Sequence, residues 1–351
     1  MRMKPLPALL PFSWIYGAGV WLRNALFDYG VLRTQSLPVP VISVGNISAG
    51  GTGKTPFVEF LALELRRRGR KVGIVSRGFG RDSTGYQVVS NGHQRCAEAV
   101  TAGDEPALLA NHLEDVPIVV DENRFRGAVT MHRAFGVDVV LLDDGFQHRR
   151  LGRNSDIVLL TAEELMQGSK LLPAGYRREP WSSLRRATLA VISKCSDGKV
   201  FEAARSRLPG EAPAFIVGIR TVVSGVVRFK TQETVDPSFL NGKTVVAFSG
   251  LGDPDAFDRT LSDLKARVEV HHRFPDHHWF TRQDLEVIAR TMKETGAELL
   301  VSTEKDAVRL DRLTIEEGDI LKGLPFYLVQ IRAEVIAGND VLAASLDAAF
   351  H

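Results

Sequence analysis

The run "SVGNISAGGTGKTP", Ser43 to Pro56, carries residue types suited to holding a phosphate. Gly50, Gly51 and Gly53 let a backbone wrap closely round an anion, and the amides from Ser48 and Ala49 through Thr52 present fixed positive dipoles to it. Lys54 is placed to reach the β- and γ-phosphates of a nucleotide, and the Thr55 hydroxyl to ligate Mg2+. The usual G-x-x-x-x-G-K-[ST] spacing wants glycine where this chain has Ser48, and Pro56 follows directly, in a first helical turn where a missing N–H costs little. Further along, "VVLLDDG" brings Asp143 and Asp144 to the tip of an apolar run, the position from which carboxylates reach a metal beside bound phosphates. "TAGDEP" sets Asp104 and Glu105 where a helix would begin, as capping residues or as chemistry. "RFPDHHWF" puts Asp276, His277 and His278 together, either a turn with solvated histidines or a source of a general base. Zinc is not favoured, because no cysteine or third ligand stands at a matching spacing.

These residues need elements to position them. "VPVISVGN" is a short β-branched run read as a buried strand, and "PFVEFLALELRRRG" after the loop has helical spacing at Phe57, Phe60, Leu61 and Leu65 with Gly69 as C-cap. The strand–loop–helix context is what makes the glycine-rich loop credible. "KVGIVS", "GYQVV", "VPIVVD", "VDVVLLD", "SDIVLLTA" and "ATLAVISK" continue as strands separated by helical runs, the rhythm of a parallel sheet covered on both faces. "AFIVGIRTVVSGVVRF" has no helix inside it and reads as a hairpin or strand pair turning at Ser224-Gly225. From Gly242 the β–loop–helix rhythm restarts on a smaller scale. The expected architecture is α/β, a P-loop NTPase-like parallel-sheet core over 37–215, a two-stranded linker over 216–240 and a smaller α/β domain over 241–351.

A length of 351 residues suits two domains, and 44% hydrophobic with 25% charged residues is a globular composition. A formal net charge of +2 gives no argument for nucleic acid, although basic residues cluster at Arg66–Lys71, His148–Arg153 and Arg177–Arg186, as solvated surface or facing an anionic substrate or membrane. Cys96 and Cys195 are far apart, which fits a reducing cytosol and excludes a disulfide scaffold or zinc ribbon. Residues 1–36 are set apart by aromatics. The uncharged run Pro5–Leu22 contains Pro7, Pro11, Gly17 and Gly19, is flanked by Lys4, Arg23 and Arg33, and is marginal for spanning a bilayer. It suits a helix lying in a membrane interface, the alternative being a helix buried against the protein's own core.

Taken in order, "GNISAGGTGKTP", "VSRGFGR", "AGDEP", "DENR", "LLDDGFQHRRL", "LPAGYRREP", "FPDHHWF" and "STEKDAVRL" closely resemble the tetraacyldisaccharide 4′-kinase (lipid A 4′-kinase) family, from the aromatic N-terminus to about residue 310. The resemblance implies transfer of the ATP γ-phosphate to the 4′-hydroxyl of an acylated glucosamine disaccharide 1-phosphate. It implies Mg2+ with ATP as co-substrate, no obligate protein partner, and action at the cytoplasmic face of a Gram-negative inner membrane, peripheral or monotopic. It assigns Asp104 as general base with His277 as its partner across a domain cleft, and Asp143, Asp144, Glu105 and Thr55 to the metal and phosphate environment. It makes Arg77, Phe79, Arg124, Gln147, His148, Arg178 and Glu179 cleft-lining residues. Ser48 is then no defect, since that family's loop does not use the first glycine, while Phe79 stands where tyrosine is expected. Lys305 and Asp306 are either a domain-packing pair or a contributor to the cleft. Two rivals remain at this level: a nucleotide-driven switch, which often carries lysine where this loop has Ala49, and a kinase of a small soluble metabolite, for which the aromatic N-terminus would be surplus.

Overall fold

In "VISVGN", Val41–Asn46 (β1), every residue is buried, because apolar side chains leave both faces of the strand and helices cover both. Ile42 and Val44 join one cluster with Leu61 and Leu65, while Val41 joins the opposite one with Ala128 and Met131. The structure, a computed structural model, describes residues 7–313, 320–321 and 323–351. Lys4 and Pro5 lie outside the described residues.

Leu10–Asp28 forms α1, followed by β1 and by Lys54–Arg67 (α2), Val72–Ser76 (β2) and Gln87–Asn91 (β3). Next come Ala99–Ala102 (α3), Asp104–His112 (α4), Pro117–Val120 (β4), Arg124–Phe135 (α5), Val139–Asp143 (β5), Ser155–Thr161 (β6) and Ala162–Gln167 (α6). Leu189–Ser193 (β7), Gly198–Arg205 (α7), the long Phe215–Arg228 (β8) and short Thr234–Val235 (β9) lead to Thr244–Ser249 (β10). Pro254–Asp263 (α8), Arg267–Arg273 (β11), Arg282–Thr295 (α9), Leu299–Thr303 (β12), Glu304–Val308 (α10), Phe326–Ala337 (β13) and Asn339–Ala348 (α11) complete the described chain. The strands form one 13-stranded sheet in the order β11-β10-β12-β13-β8-β7-β6-β1-β5-β2-β4-β3, with β9 beside β8. β1 runs parallel to β5 on one side and to β6 on the other, with Val44 opposite Asp143. Connections leave this point in opposite directions, opening a crevice at the carboxyl ends of β1 and β5, where ligands of such sheets bind.

Two expectations are corrected. The run expected to turn at Ser224-Gly225 is one continuous strand, β8, antiparallel to β13. The pairing steps from Gly225 to Val223 across Gln330/Ile331, so Ser224 is the extra residue of a bulge. A Ser-Gly pair serves a turn or a bulge equally well in local sequence, and the partner strand lies about a hundred residues away. The C-terminal segment also leaves the smaller unit. Leu342, Leu346 and Ala349 share a cluster with Leu61, Leu65 and Val217 of the larger one. The expected 241–351 unit therefore gives its last helix to the other core, because β13 carries the chain back across the sheet.

α1 is continuous through Gly17 and Gly19, with Pro11 in its first turn. Ser13, Tyr16, Asn24 and Phe27 face the protein, with Ser13 Oγ donating to the Leu171 carbonyl (3.0 Å) and Tyr16 OH to that of Arg178 (2.9 Å). Phe12, Trp14, Ile15, Trp21 and Leu22 point outward and are 53–73% exposed. The usual polarity of a surface helix is thus inverted. Among the described residues no helix is long and apolar enough to cross a membrane.

Between α2, α4 and α10, His112 bridges Glu59 (3.1 Å) and Glu304 (2.9 Å), and Gln330 of β13 donates to Glu304 (2.6 Å). Burial alone would lower the His112 pKa, but the two carboxylates outweigh it and hold it at about 10. Stability from this raised pKa is complete below the unfolded value near 6.5 and is lost as pH rises through about 10. His112→Gln is expected to cost about 3 kcal/mol near neutral pH. Urea unfolding should show that gap closing as pH rises toward 10; a gap independent of pH would contradict the charged bridge.

Candidate active site

The phosphate loop grows from the end of β1 and is braced from below. Asn46 Nδ2 donates to Thr52 Oγ1 (3.0 Å), Ser193 Oγ to the Thr52 carbonyl (2.7 Å), and Gln147 Nε2 to the Asn46 carbonyl (2.8 Å). Gly50 and Gly53 sit at φ 108° and 82°, conformations that side chains disfavour, and no protein atom would oppose an added Cβ at either. These two glycines thus serve backbone curvature and leave open space on the loop. Ser48 is buried and donates to Glu164, and the Ala49 amide donates to the Tyr176 carbonyl (2.7 Å). Ala49, read from sequence as a phosphate contact, therefore has its amide committed within the chain. Lys54 and Thr55 open α2, with Lys54 Nζ 3.3 Å from Asp144 Oδ1.

Parallel pairing of β5 with β1 delivers the two aspartates beside this loop. Asp144, at φ 49°, also meets Arg178 Nη1 at 3.2 Å. Burial would raise its pKa, but Lys54 and Arg178 outweigh that and lower it. Asp143 differs. It is buried, with Oδ2 accepting from Ser76 Oγ (2.8 Å) and Oδ1 lacking a hydrogen-bond partner among the described residues. Burial, then the negative charges of Glu105 and Asp144, push its pKa up to about 7. An unpartnered carboxylate oxygen in that setting is one a cation would satisfy.

Asp104 and Glu105 begin α4 from Gly103. That glycine has φ 93° and ψ 149°, and a Cβ there would approach Gly78 Cα at 3.0 Å and the Phe79 carbonyl oxygen at 3.1 Å. Asp104 is 4% exposed. Its Oδ1 accepts the Glu105 amide (2.9 Å), and its Oδ2 accepts from His277 Nδ1 (2.8 Å), bringing together two residues 173 positions apart. Arg309 Nε (2.9 Å) and Nη2 (2.6 Å) donate to the same Oδ2. Burial would raise the Asp104 pKa, but His277, Lys305 and Arg309 together hold it well below the carboxylate range. Glu105 pairs with Lys305 Nζ (2.9 Å), which lowers its pKa against the effect of burial. Lys305 thus joins the two units at the cleft.

His277 sits at φ 59°, a rare conformation for histidine, with its ring 5.5 Å from that of Phe79. His278 is occupied elsewhere. It stacks on Phe274 (4.7 Å) and bonds Asp284 Oδ2 (3.0 Å) at the start of α9. Arg124 lies 3.3 Å from His148 Nδ1, and Arg77 is near enough to lower the Arg124 pKa after burial, the larger cause. Burial and neighbouring arginines, Arg124 first, push His148 down to about 4, so its ring is neutral at ordinary pH. Arg124 Nε and His148 Nε2 are buried without partners among the described residues. Gln147 is spent on the loop and on Arg23 of α1, which donates to its carbonyl. Glu179 is corrected from cleft wall to anchor. It is 1% exposed, held by both Nη atoms of Arg186 (2.9 and 2.7 Å) and by Asn24 Nδ2 (3.0 Å). Ser76 and Arg309 lie inside the quoted runs "VSRGFGR" and "STEKDAVRL", but nothing local in those runs gives either side chain a role, because their partners Asp143 and Asp104 come from distant parts of the chain.

Comparison with known proteins finds similarity along nearly the whole chain. The family model described as Tetraacyldisaccharide-1-P 4′-kinase matches residues 6–351. The chain belongs to that family. The kinase is 41% identical over 349 residues to the tetraacyldisaccharide 4′-kinase of Anaeromyxobacter sp. (strain Fw109-5), covering 98% of this chain and 91% of that one. It is 37% identical to the enzyme of the same name from Syntrophus aciditrophicus (strain SB), over 88% of this chain and 85% of that one. Its fold matches a crystal structure of Aquifex aeolicus LpxK in complex with ATP at a TM-score of 0.79, with 33% identity and coverage of 98% and 99%.

Gly103→Ala of this kinase is expected to cost about 2 kcal/mol, since only glycine is comfortable at that φ and ψ. The urea midpoint should fall accordingly, and an unchanged midpoint would show that the Gly78–Gly103 contact yields without strain.

Proposed function

We propose a division of labour for moving the ATP γ-phosphate to the 4′-hydroxyl of a tetraacylated glucosamine disaccharide 1-phosphate, the lipid A-forming reaction of this chain's family. The observation that carries it is the Asp104–His277 bond between residues 173 positions apart, with Glu105, the residue after Asp104, near enough to Lys54 and Asp143 to interact with both electrostatically. Gly50–Gly53 cradle the phosphates by backbone amides and the N-terminus of α2. Lys54 leaves Asp144 for the β- and γ-phosphates, and Arg178 remains to hold Asp144 in place. Asp143 Oδ1, without a partner among the described residues, suits Mg2+, with Asp144 and the Thr55 hydroxyl from the first turn of α2 as the further ligands in this reading, and Glu105, paired with Lys305, is the less free of the expected ligands. Among the described residues no three His, Cys, Asp or Glu form a ready cage, which fits an ion that completes its shell with phosphate oxygens and waters. When bound, Mg2+ would neutralise charge on the phosphates.

Asp104 orients the substrate hydroxyl, with Oδ1 the atom that keeps a lone pair beyond its single amide donor. An aspartate held so far below the usual range is a weak base. Phosphoryl transfer is loose, however, so positioning the nucleophile matters more than early removal of its proton. The hydroxyl proton then passes to Asp104 Oδ1, while His277, donating its Nδ1–H to Oδ2, steadies the carboxyl that receives it. Arg77, Arg124 and neutral His148 line the acceptor side, and the exposed Phe79 ring covers His277 without the hydroxyl that tyrosine would bring. The outward aromatics of α1 suit the interface of a membrane in which the acyl chains sit, the cytoplasmic face of the inner membrane in this reading.

With γ-labelled ATP, Mg2+ and the lipid disaccharide in detergent, label is expected in the lipid. Asp104→Ala and His277→Ala should each slow transfer by roughly 100-fold or more at saturating ATP. Rates within about threefold of wild type for both would remove the pair from the mechanism, and label appearing only as free phosphate would instead favour a nucleotide switch. Because α1 also packs on the site elements, its membrane role is better tested by point changes than by deletion. Trp14→Ser with Trp21→Ser should reduce partitioning onto phospholipid vesicles roughly tenfold or more while melting stays unchanged. Equal partitioning would assign these tryptophans another purpose.

A further inference from the structure

Arg309 is wholly buried, and a buried guanidinium is tolerated only when its donors are met. They are met on two sides. Nη1 donates to the Gly250 carbonyl (2.5 Å) and to Asp306 Oδ1 (3.0 Å), both in the smaller unit. Asp306 is itself immobilised, accepting the Gly250 amide (2.9 Å) on Oδ1 and Thr303 Oγ1 (2.6 Å) on Oδ2. Nε and Nη2 reach across the cleft to Asp104 Oδ2. A rigid fork on a rigid base therefore grips one oxygen of the carboxylate. Together with His277 Nδ1, three donors occupy Oδ2, and Oδ1 is left with the Glu105 amide alone.

We propose that Arg309 is a positioning residue for phosphoryl transfer. It fixes the rotamer of Asp104, assigns Oδ1 rather than Oδ2 to the substrate hydroxyl, and makes the Asp104–His277 geometry depend on docking of the smaller unit. This rests on the reading that the pair serves the substrate hydroxyl. Domain docking alone does not require Arg309, because Lys305–Glu105, Arg95–Asp311 and His112–Glu304 also cross between the units. What the other pairs lack is a grip on Asp104 Oδ2 within hydrogen-bonding distance; Lys305 Nζ stays 3.9 Å from it. A lysine at 309 would keep the charge but not the planar fork that donates twice to one oxygen and once to Asp306.

The test is a double-mutant cycle on the full-length kinase with ATP and the lipid disaccharide, using Arg309→Lys, Asp104→Asn and the pair together. Arg309→Lys should lower kcat by roughly 30-fold or more with KM for ATP within about threefold, and a greater loss is expected for Arg309→Met. In the Asp104→Asn background the same Arg309→Lys change should cost less than about threefold, because the carboxylate it positions is gone. A merely structural arginine would give equal losses in both backgrounds. That additive result, or a kcat for Arg309→Lys within about threefold of wild type, overturns the inference while leaving the pair's role standing. Asp104→Asn at near wild-type rate removes the underlying reading, and this inference with it. Should Arg309→Met fail to fold, Arg309→Lys, with circular dichroism as the folding control, decides the matter.

Discussion

A carboxylate buried as deeply as Asp104 cannot stay ionised without positive charge beside it, and here that charge comes from the other half of the molecule. α4 supplies Asp104 and Glu105, while the stretch from Thr303 to Arg309, with His277, supplies their partners. Each side alone would bury or expose uncompensated charge, so the packing of the two units and the pairing of these side chains depend on each other. The single sheet fixes how the units sit. β8 and β13 run through both units as one antiparallel pair, so the smaller unit is carried on hydrogen-bonded strands rather than on a free linker.

The same economy appears at the phosphate loop. Its amides and lysine attract anions, but its shape depends on braces from Asn46, Ser193 and Gln147, and Gln147 in turn accepts from Arg23 of α1. α1 also bonds Glu179 through Asn24 and the Arg178 carbonyl through Tyr16. The helix that turns its aromatics outward thus holds, on its inner face, residues next to those around the nucleotide loop. Under the membrane role proposed for α1, a lipid headgroup met at this helix would come in close to the elements that surround the phosphate loop.

Much of this was legible in local sequence, where the physics is local. β-branched runs gave the central strands, the glycines of the loop follow from the curvature that only they accept, and Asp143 at the end of an apolar run had to emerge at a strand tip. The family motifs extended the legible part to a pairing of Asp104 with His277, and those side chains do meet. Where local chemistry has two outlets, neighbouring residues do not choose between them. Ser224-Gly225 could turn or bulge, and Glu179 could face a ligand or an arginine; a strand and an arginine supplied by folding chose between them.

Sequence alone therefore determined the α/β rhythm, the phosphate loop, the acidic strand tip and the unusual apolar N-terminus, because each is set by residues within a few positions of one another. Tertiary structure decided which oxygens and amides remain available. It committed the Ala49 amide, filled Asp104 Oδ2, orphaned Asp143 Oδ1 and buried Arg309 between two carboxylates. Those outcomes depend on partners from distant parts of the chain, and a buried polar atom acquires its role only from what is packed against it.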